Sequence, residues 1–414
     1  MANDPSLIPL SAHEIVDLLR IGAVSPLDLL DTLEARIAKV DPALNALPTL
    51  CFERAHMHAR ELMKRPAVER GHLAGLPILI KDLTDVSAVR TTYGSPIFKD
   101  HVPMHSDVLV ETIEDEGGIV YAKSNTPEFG AGANTFNEVF GVTRNPWNTS
   151  LSAAGSSGGA AAALASGMAW LAHGSDMGGS LRNPASFCGV VGLRPSPGRV
   201  ATDPGNKVDR LLSVEGPMAR SVEDVALLFD AMLGESPKDP VSLPRPAGDN
   251  YLHYARSGWM PEKVAYSDDL GITPVDPEVA AICRKAAYQL QGAGVIVEEA
   301  HPDLKEAHDC FGVLRAMSFA TAHAGKLETH RDLLKPDVVW NIEKGLQLGM
   351  QDVVRAEAQR AEMIRRTNAF FDTYDLLLCP ATIVAAFPVE QRYLEQCNGH
   401  TFANYVEWLG IVYA

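Results

Sequence analysis

The sequence predicts an α/β fold. Apolar runs of strand length alternate with segments in which apolar residues recur every three or four positions, the patterns of strands and of amphipathic helices. The chain has 414 residues, of which 46% are hydrophobic, so it is able to build a sizeable core. This length accommodates one large α/β domain or two smaller ones.

The N-terminal part of the sequence is helical. From Ser11 to about Lys64, apolar residues recur at steps of three and four. Ser25 followed by Pro26 is a typical start signal for a helix. We therefore interpret residues 1–70 as a helical layer of the same domain that packs on the later sheet.

Strand patterns follow this layer. The run Gly75–Ile80 predicts a buried strand that ends at Lys81, and Ile119–Lys123 predicts another strand after a helix from Ser106 to Gly117. Catalytic groups in open α/β sheets lie at the carboxyl ends of strands, so Lys81 is a candidate catalytic residue. Taken alone, a lysine after a strand is more often a solvated surface residue.

Two clusters of small residues, Gly155–Gly159 and Gly178–Ser180, stand out in the middle of the chain. The alanine-rich run 160–167 between them has high helix propensity and little bulk, so it can pack closely under a neighbouring layer. Residues 170–180 predict a short strand, a glycine turn and a serine that opens a new helix. Because such a turn presents backbone N–H groups at one point, we expect the two clusters to form the active site.

The composition shifts to Pro, Ser, Asp and Gly between Glu235 and Asn250, which predicts a loop or boundary. The β/α order then continues through predicted strands at Lys263–Ser267, 295–297 and Asp375–Cys379 and predicted helices from Asp276, from Leu304 to Leu327 and from Gln351 to Phe371. We interpret residues 236–414 as a C-terminal α/β part.

Charge and cysteine usage exclude several classes of function. The formal net charge of −16 argues against nucleic acid as the main partner. No basic, apolar leader or membrane-length apolar window is present, so we expect a soluble cytoplasmic protein. Six cysteines without CxxC spacing predict buried free thiols rather than a zinc site or disulfides. Cys188 as a nucleophile is a minor alternative.

Lys81, the segment Gly155–Gly159 and the turn Gly178–Ser180 together resemble the amidase signature family. In the family pattern the turn serine follows the first serine of the glycine-serine segment by 24 positions, and Ser156 and Ser180 have this spacing, 180 − 156 = 24. Each part alone is common in turns and linkers. All three parts in order and in register make the resemblance specific.

The resemblance runs from about Leu73 to Arg199 and weakens on either side. It implies the amidase signature fold, a central mixed, mostly parallel twisted sheet covered by helices on both sides. We accordingly assign residues 71–235 to an amidase signature core.

The resemblance also implies a Ser-cisSer-Lys triad. Ser180 would attack the substrate, Ser156 would relay the proton, and Lys81 would be the base. For this role the lysine pKa must fall from about 10.4 to about 7 to 8, and burial below the glycine clusters would lower it. The family further implies a cis peptide bond between Gly155 and Ser156.

Other groups are assigned around this triad. The expected oxyanion hole consists of the backbone N–H groups of Met177, Gly178, Gly179 and Ser180. Asp176 and Arg182 are expected to brace the turn, and Ser157 to form hydrogen bonds beside the triad. Phe129 and Phe387 are candidate substrate-pocket residues, with ordinary core packing as the alternative for Phe387.

The sequence departs from the family pattern at a few positions. Ala153-Ala154 stand where many relatives have Pro-Gly, and Ala88 stands where glycine is frequent. We expect these small substitutions to preserve the backbone approach and to alter the shape of the pocket. The segment Thr401–Ala414 resembles the family helix that precedes further strands, so the family's last strands are expected to be absent.

The function implied by the resemblance is a serine amidohydrolase without metal or cofactor. It would hydrolyse a small or aryl carboxamide to a carboxylate and ammonia or an amine through an acyl-enzyme. The alternatives are a carbamate or ester hydrolase, a glutamine-hydrolysing subunit of an amidotransferase, and a catalytically silent scaffold. The expected partner is a small-molecule amide, with no nucleic acid and no membrane, and a homodimer is compatible with the family.

Overall fold

The computed structural model describes residues 4–203, 211–248 and 250–414. These residues form two compact units, the first made of 4–203, 211–248, 250–257 and 388–390 and the second of 258–387 and 391–414. The division falls at 257/258 rather than at the predicted 235/236. The reason is that Asp230 accepts hydrogen bonds from the N–H groups of Tyr251 and Leu252, at 2.8 and 3.0 Å, and so holds this segment on the first unit.

Several helices of the first unit start at a residue whose side chain caps them. The helices of this unit are α1 (Ala12–Arg20), α2 (Pro26–Leu44), α3 (Phe52–Leu62), α4 (Val108–Asp115), α5 (Gly158–Ala165), α6 (Arg182–Cys188), α7 (Val222–Met232) and α8 (Tyr251–Arg256). Ser11 and Ser25 cap α1 and α2, and each exchanges hydrogen bonds with an acidic residue three positions later. The predicted N-terminal helical layer is therefore present.

The described strands of the first unit form a six-stranded mixed sheet and a separate two-stranded sheet. They are β1 (Thr49–Leu50), β2 (Pro77–Lys81), β3 (Ile119–Ser124), β4 (Phe136–Asn137), β5 (Gly141–Val142), β6 (Leu171–Asp176), β7 (Val191–Gly192) and β8 (Val214–Ala219). The main sheet of the described chain has the order β1-β3-β2-β6-β8-β7. β2 is parallel to both neighbours, whereas the β1–β3, β6–β8 and β7–β8 pairings are antiparallel. The sheet is mixed as expected, but parallel pairing does not predominate, which corrects that detail.

Every residue of β2, β3, β6 and β8 is buried. Successive side chains of a strand point to opposite faces, so both faces of the sheet are covered. α5 packs against all four of these strands, α2 against β2, α3 against β3, and α7 against β6 and β8. The small side chains of α5 are almost all fully buried, as the alanine-rich run predicts.

The second unit contains a small parallel sheet and several helices. Its strands are β9 (Lys263–Tyr266), β10 (Ile296–Glu299), β11 (Leu376–Leu378), β12 (Gln396–Cys397) and β13 (His400–Thr401). Its helices are α9 (Pro277–Tyr288), α10 (Ala307–His330), α11 (Pro336–Leu346), α12 (Met350–Phe370) and α13 (Gly410–Tyr413). β9 lies between β10 and β11 and is parallel to both. α11 was not predicted from the sequence.

No helix in the described part of the chain combines the length and the apolar content that crossing a bilayer requires.

Candidate active site

Lys81 is the last residue of β2, and its side chain is fully buried. Its Nζ lies 2.7 Å from Ser156 Oγ and 2.9 Å from Ser157 Oγ. A third hydroxyl, Ser175 Oγ on β6, lies 2.9 Å from the same nitrogen. The amine of Lys81 is therefore held among three serine hydroxyls, and one of them belongs to Ser156, the expected neighbour of Lys81 in the triad.

These surroundings set the pKa of Lys81. Burial is the largest influence and lowers the pKa to about 7, because desolvation disfavours the ammonium. The carboxylates of Glu215 and Asp176 act in the opposite direction. With this pKa, a substantial fraction of Lys81 is uncharged at neutral pH and can accept a proton from a neighbouring hydroxyl.

Two glycines allow the Ser156 segment to approach its neighbours closely. A Cβ on Gly158 would lie 2.3 Å from Thr135 Oγ1, and a Cβ on Gly159 would lie 2.4 Å from the backbone nitrogen of Asn125. Any larger residue would force the start of α5 away from these groups. The two glycines thus allow the segment that carries Ser156 to lie directly against Thr135 and the backbone of Asn125.

Ser180 lies in the turn after β6, just before α6 begins at Arg182. The N–H group of Ser157 donates to the carbonyl oxygen of Ser180 at 3.2 Å, which joins the two small-residue clusters through the backbone. The peptide bond between Gly155 and Ser156 is cis. The Ser180 side chain is half-buried, and no hydrogen bond from its hydroxyl to another described group occurs.

Asp176, the last residue of β6, is fully buried beneath this turn. Its carboxylate accepts hydrogen bonds from Nε and Nη2 of Arg182, both at 3.0 Å. Arg194 contributes Nη1 at 3.3 Å and also donates to the Asp176 carbonyl oxygen. Burial raises the pKa of the Asp176 carboxyl, but the two arginines outweigh burial and bring the pKa down to about 2. These contacts tie the end of β6 to the start of α6 and to Arg194, which is how Asp176 and Arg182 are expected to hold the turn in place.

The backbone N–H groups of the turn differ in whether they already donate a hydrogen bond within the protein. The N–H group of Gly179 donates to Asp176 Oδ1 at 2.7 Å. The N–H groups of Met177, Gly178 and Ser180 donate to no other described group. The predicted oxyanion hole is corrected accordingly, because an N–H that already binds a carboxylate is not free for a substrate oxygen. Three of the four expected donors remain.

Phe129 lies in a short 3-10 turn, Glu128–Gly130, that borders the serines. A Cβ on Gly130 would lie 3.5 Å from Ser156 Oγ. The Phe129 ring is half-buried and meets the ring of Phe98 edge-to-face, with centroids 6.2 Å apart. The position of this turn is compatible with a place for Phe129 at the substrate pocket.

Phe387 lies in the second unit. It is buried, and its ring centroid lies 6.0 Å from that of Trp408 in an edge-to-face arrangement. This is the core packing that the sequence left open as the alternative, so we do not include Phe387 in the pocket.

Cys188 is not a nucleophile. Its side chain is fully buried at the end of α6, and its thiol contacts the Ala153 carbonyl oxygen at 3.8 Å. Burial raises the pKa of this thiol to about 12. A thiol that stays protonated at neutral pH lacks the nucleophilic thiolate, so this alternative is wrong.

The departures from the family pattern coincide with unusual backbone. Ala88 and Ala154 have φ angles of 60° and 55°, in the left-handed region that favours glycine. The frequent glycine of relatives at these positions therefore has a conformational reason. In this chain both alanines adopt that left-handed backbone.

Several side chains around Lys81 were not singled out from the sequence. Ser175 supplies the third hydroxyl, Arg194 supplies the second cation for the turn, and His173 and Glu215 form a buried pair behind the strand end. A period of two along β6 places 173 and 175 on one face, which is the only local signal. Arg194 and Glu215 reach the site from distant segments.

Comparisons with known proteins identify the family of this chain. A family model described as Amidase matches residues 28–413. An acylamidase of Rhodococcus erythropolis is 33% identical over 386 residues, covering 92% of this chain and 81% of the relative. A glutamyl-tRNA(Gln) amidotransferase subunit of Halothermothrix orenii is 32% identical over 433 aligned positions, covering 98% of this chain and 89% of the relative.

Among solved structures, that of a bacterial aryl acylamidase of the amidase signature family matches with a TM-score of 0.89 at 27% identity, covering 97% of this chain and 86% of that chain. This likeness confirms the fold that the three sequence motifs implied. The chain therefore belongs to the amidase signature family of enzymes that hydrolyse amide C–N bonds.

Proposed function

We propose that this protein is a serine amidohydrolase that cleaves a small or aryl carboxamide through Lys81, Ser156 and Ser180. The observation that carries the proposal is the buried amine of Lys81, whose Nζ lies 2.7 Å from Ser156 Oγ and whose pKa is about 7. An uncharged lysine in contact with a serine hydroxyl is a base placed for proton transfer. The similarity to an acylamidase and to an aryl acylamidase structure supports this substrate class.

The proposed reaction starts with attack of Ser180 Oγ on the amide carbonyl carbon. The Ser180 proton passes to Ser156 Oγ, and the proton of Ser156 passes to Lys81 Nζ. The carbonyl oxygen gains negative charge and is stabilised by the N–H groups of Met177, Gly178 and Ser180.

The tetrahedral intermediate then breaks its C–N bond. Lys81 returns a proton through Ser156 to the leaving nitrogen, which departs as ammonia or an amine and leaves an acyl group on Ser180. A water molecule, activated by the same relay, attacks the acyl carbon and releases the carboxylate. Esters and carbamates offer an equivalent carbonyl and leaving group, so they are alternative substrates of the same machinery.

A glutamine-hydrolysing amidotransferase subunit is a second candidate. Its support is the amidotransferase relative from Halothermothrix orenii, whose 32% identity is close to the 33% of the acylamidase. Such a subunit would use the same triad on glutamine and would require partner subunits. Glutamine hydrolysis and copurifying partners would therefore separate this candidate from a self-contained amidohydrolase.

Hydrolysis of a substrate panel tests both candidates. The panel contains a primary aryl amide, an anilide, a carbamate, an ester and glutamine, and each is offered to the wild type, to Ser180→Ala and to Ser150→Ala. Ser150 is an exposed serine whose hydroxyl bonds to Asn148, so its variant is a matched control. We expect cleavage of an amide by the wild type and the control, and none by Ser180→Ala. Full activity of Ser180→Ala, or no cleavage of any panel member by the wild type, would refute the proposal.

A further inference from the structure

His173 is a fully buried histidine in the middle of β6 that the proposed reaction does not use. Its Nδ1 accepts a hydrogen bond from the backbone N–H group of Lys81 at 3.3 Å. Its Nε2 lies 2.8 Å from Glu215 Oε2 on β8. The imidazole thus connects the backbone of the proposed base to a buried carboxylate.

The contacts of the ring define which of its nitrogens carries the proton. An N–H group points at Nδ1, so Nδ1 carries a lone pair and no proton. The proton of the neutral ring therefore resides on Nε2 and is donated to Glu215. This hydrogen bond stabilises the Glu215 carboxylate without adding a positive charge, so the pair carries the negative charge of the carboxylate.

The register of β6 and β8 places Glu215 opposite a residue that contacts the amine of Lys81. Ser175 lies directly opposite Glu215 in the antiparallel pairing, and Ser175 Oγ is a hydrogen-bond partner of Lys81 Nζ. His173 is two residues before Ser175 and shares its face of the sheet. The proposed base, the ring and the carboxylate accordingly occupy one buried layer.

We propose that His173 and Glu215 are positioning residues for Lys81: His173 holds the end of β2 by its backbone, and the Glu215 carboxylate stabilises the protonated lysine during proton transfer. The inference rests on the proposed function, because it assigns a role relative to the base. It explains why a histidine and a glutamate are buried together behind a strand that carries catalytic groups.

Other charged groups lie on the elements around Lys81. Asp176 at the end of β6 is already bound by two arginines. Asp82, which follows β2, forms an ion pair with Lys123 of β3, with Nζ and Oδ1 3.5 Å apart. The segment that carries Ser156 and Ser157 contributes hydroxyls rather than charges. Apart from burial, the largest influence on the pKa of Lys81 is Glu215, which raises it and so opposes burial.

Removal of the Glu215 charge gives a specific expectation. In Glu215→Gln the protonated lysine loses its stabilising carboxylate, so Lys81 becomes uncharged at lower pH. The acid limb of the activity profile should shift down by about 1 pH unit, the order of shift that a nearby opposite charge produces. Glu215→Asp keeps the charge and should retain the wild-type limb. A purely structural role would reduce activity at every pH without moving the limb.

The test measures the rate at which a fluorophosphonate labels Ser180 between pH 5 and pH 9, because this readout does not depend on knowing the substrate. The variants are Glu215→Gln, Glu215→Asp and His173→Gln, with Asp230→Asn as the matched control. Asp230 is a buried carboxylate of the same unit that binds the N–H groups of Tyr251 and Leu252. His173→Gln keeps a donor and an acceptor and provides a second variant if Glu215→Gln does not fold.

The inference is supported if the acid limb of the labelling profile shifts to lower pH in Glu215→Gln and keeps its wild-type pH in Glu215→Asp and in Asp230→Asn. For His173→Gln we expect a downward shift in the same direction, because the carboxylate loses its fixed donor. If the wild type labels at Ser180 but the acid limb of Glu215→Gln lies at the wild-type pH, this inference alone is overturned. If Glu215→Gln does not fold, an unshifted acid limb in His173→Gln overturns it in the same way. If the wild type does not label at Ser180, the proposed function fails and the inference fails with it.

Discussion

Two buried lysines on neighbouring strands have different surroundings. Lys81 ends β2 and Lys123 lies near the end of β3, and both side chains are fully buried. Lys123 is paired with Asp82 at 3.5 Å and also donates to the Thr84 carbonyl oxygen and to Thr91 Oγ1 at 2.6 and 2.8 Å. Lys81 instead donates to hydroxyl groups and, at 3.5 Å, to a carbonyl oxygen.

The comparison shows that burial alone does not make a lysine a base. Burial lowers the pKa of Lys123 too, but the adjacent Asp82 opposes this shift and provides a counter-ion. At Lys81 burial brings the pKa to about 7, and the neighbouring Ser156 hydroxyl offers a proton to accept. We therefore interpret Lys123 as structural and Lys81 as the base, and each of the following predictions tests that distinction.

The largest effect is expected for Lys81→Met. Methionine has a similar shape but cannot accept a proton, so kcat/KM should fall by about 10²- to 10⁴-fold, the usual contribution of general acid–base catalysis. Steady-state kinetics on a cleaved panel substrate measures the loss, and circular dichroism verifies that the variant is folded. A folded Lys81→Met enzyme with more than a tenth of wild-type kcat/KM would contradict the assignment of the base.

Lys123→Met should act on stability instead. It leaves Asp82 buried without its cation, and removal of one partner of a buried ion pair typically lowers the free energy of unfolding by about 3–5 kcal/mol. Urea unfolding measures this loss. The double variant Lys123→Met with Asp82→Asn removes the uncompensated charge and should recover part of it.

The folded Lys123→Met enzyme should keep kcat/KM within about tenfold of the wild type. The reason is that loss of the Lys123 charge is expected to change the pKa of Lys81 by about one unit or less. A loss of activity as large as that of Lys81→Met, with unchanged stability, would remove the distinction between the two lysines.

The pH dependence of wild-type activity should reflect Lys81 and not Lys123. Because the pKa of Lys81 is lowered to about 7, the amine is protonated below that pH and cannot take the proton of Ser156. Activity should therefore fall as the pH falls, to roughly a tenth of its plateau about one unit below the pKa. A kcat/KM profile measures the midpoint. An acid limb below pH 5, or none between pH 5 and 9, would be inconsistent with Lys81 as the base.

The smallest effect is expected for Thr91→Val, which removes one hydrogen bond of Lys123 and keeps the shape of the side chain. The Thr91 hydroxyl also donates to the Val89 carbonyl oxygen, so two hydrogen bonds are lost, whereas Asp82 and the Thr84 carbonyl remain as partners of Lys123. The free energy of unfolding should fall by about 1–2 kcal/mol, the net value of one or two typical hydrogen bonds. Urea unfolding and kinetics on the same sample provide the measurement. A larger change in kcat/KM than in stability would mean that the Lys123 cluster also serves the reaction.

Local sequence patterns predicted much of the first unit. The strand that ends at Lys81, the alanine-rich helix α5 and the serine-capped helices occur close to their predicted positions. These features depend on neighbouring residues only, such as a capping serine or a run of alanines. α11 was missed although its own pattern is clearly amphipathic. The pairing of β8 with β6 joins segments about 40 residues apart along the chain, beyond the reach of local patterns.

For the site, the sequence by itself determined which residues are proposed to carry the chemistry: a lysine at a strand end and two serines in glycine-rich turns at the family spacing. Only the tertiary structure decided their environment. It placed the amine of Lys81 among three hydroxyls, used the Gly179 N–H for Asp176, and set a buried His173–Glu215 pair at the backbone of Lys81. The physical reason is that a pKa depends on burial and on charges contributed by distant segments, and these come together only when the sheet has formed.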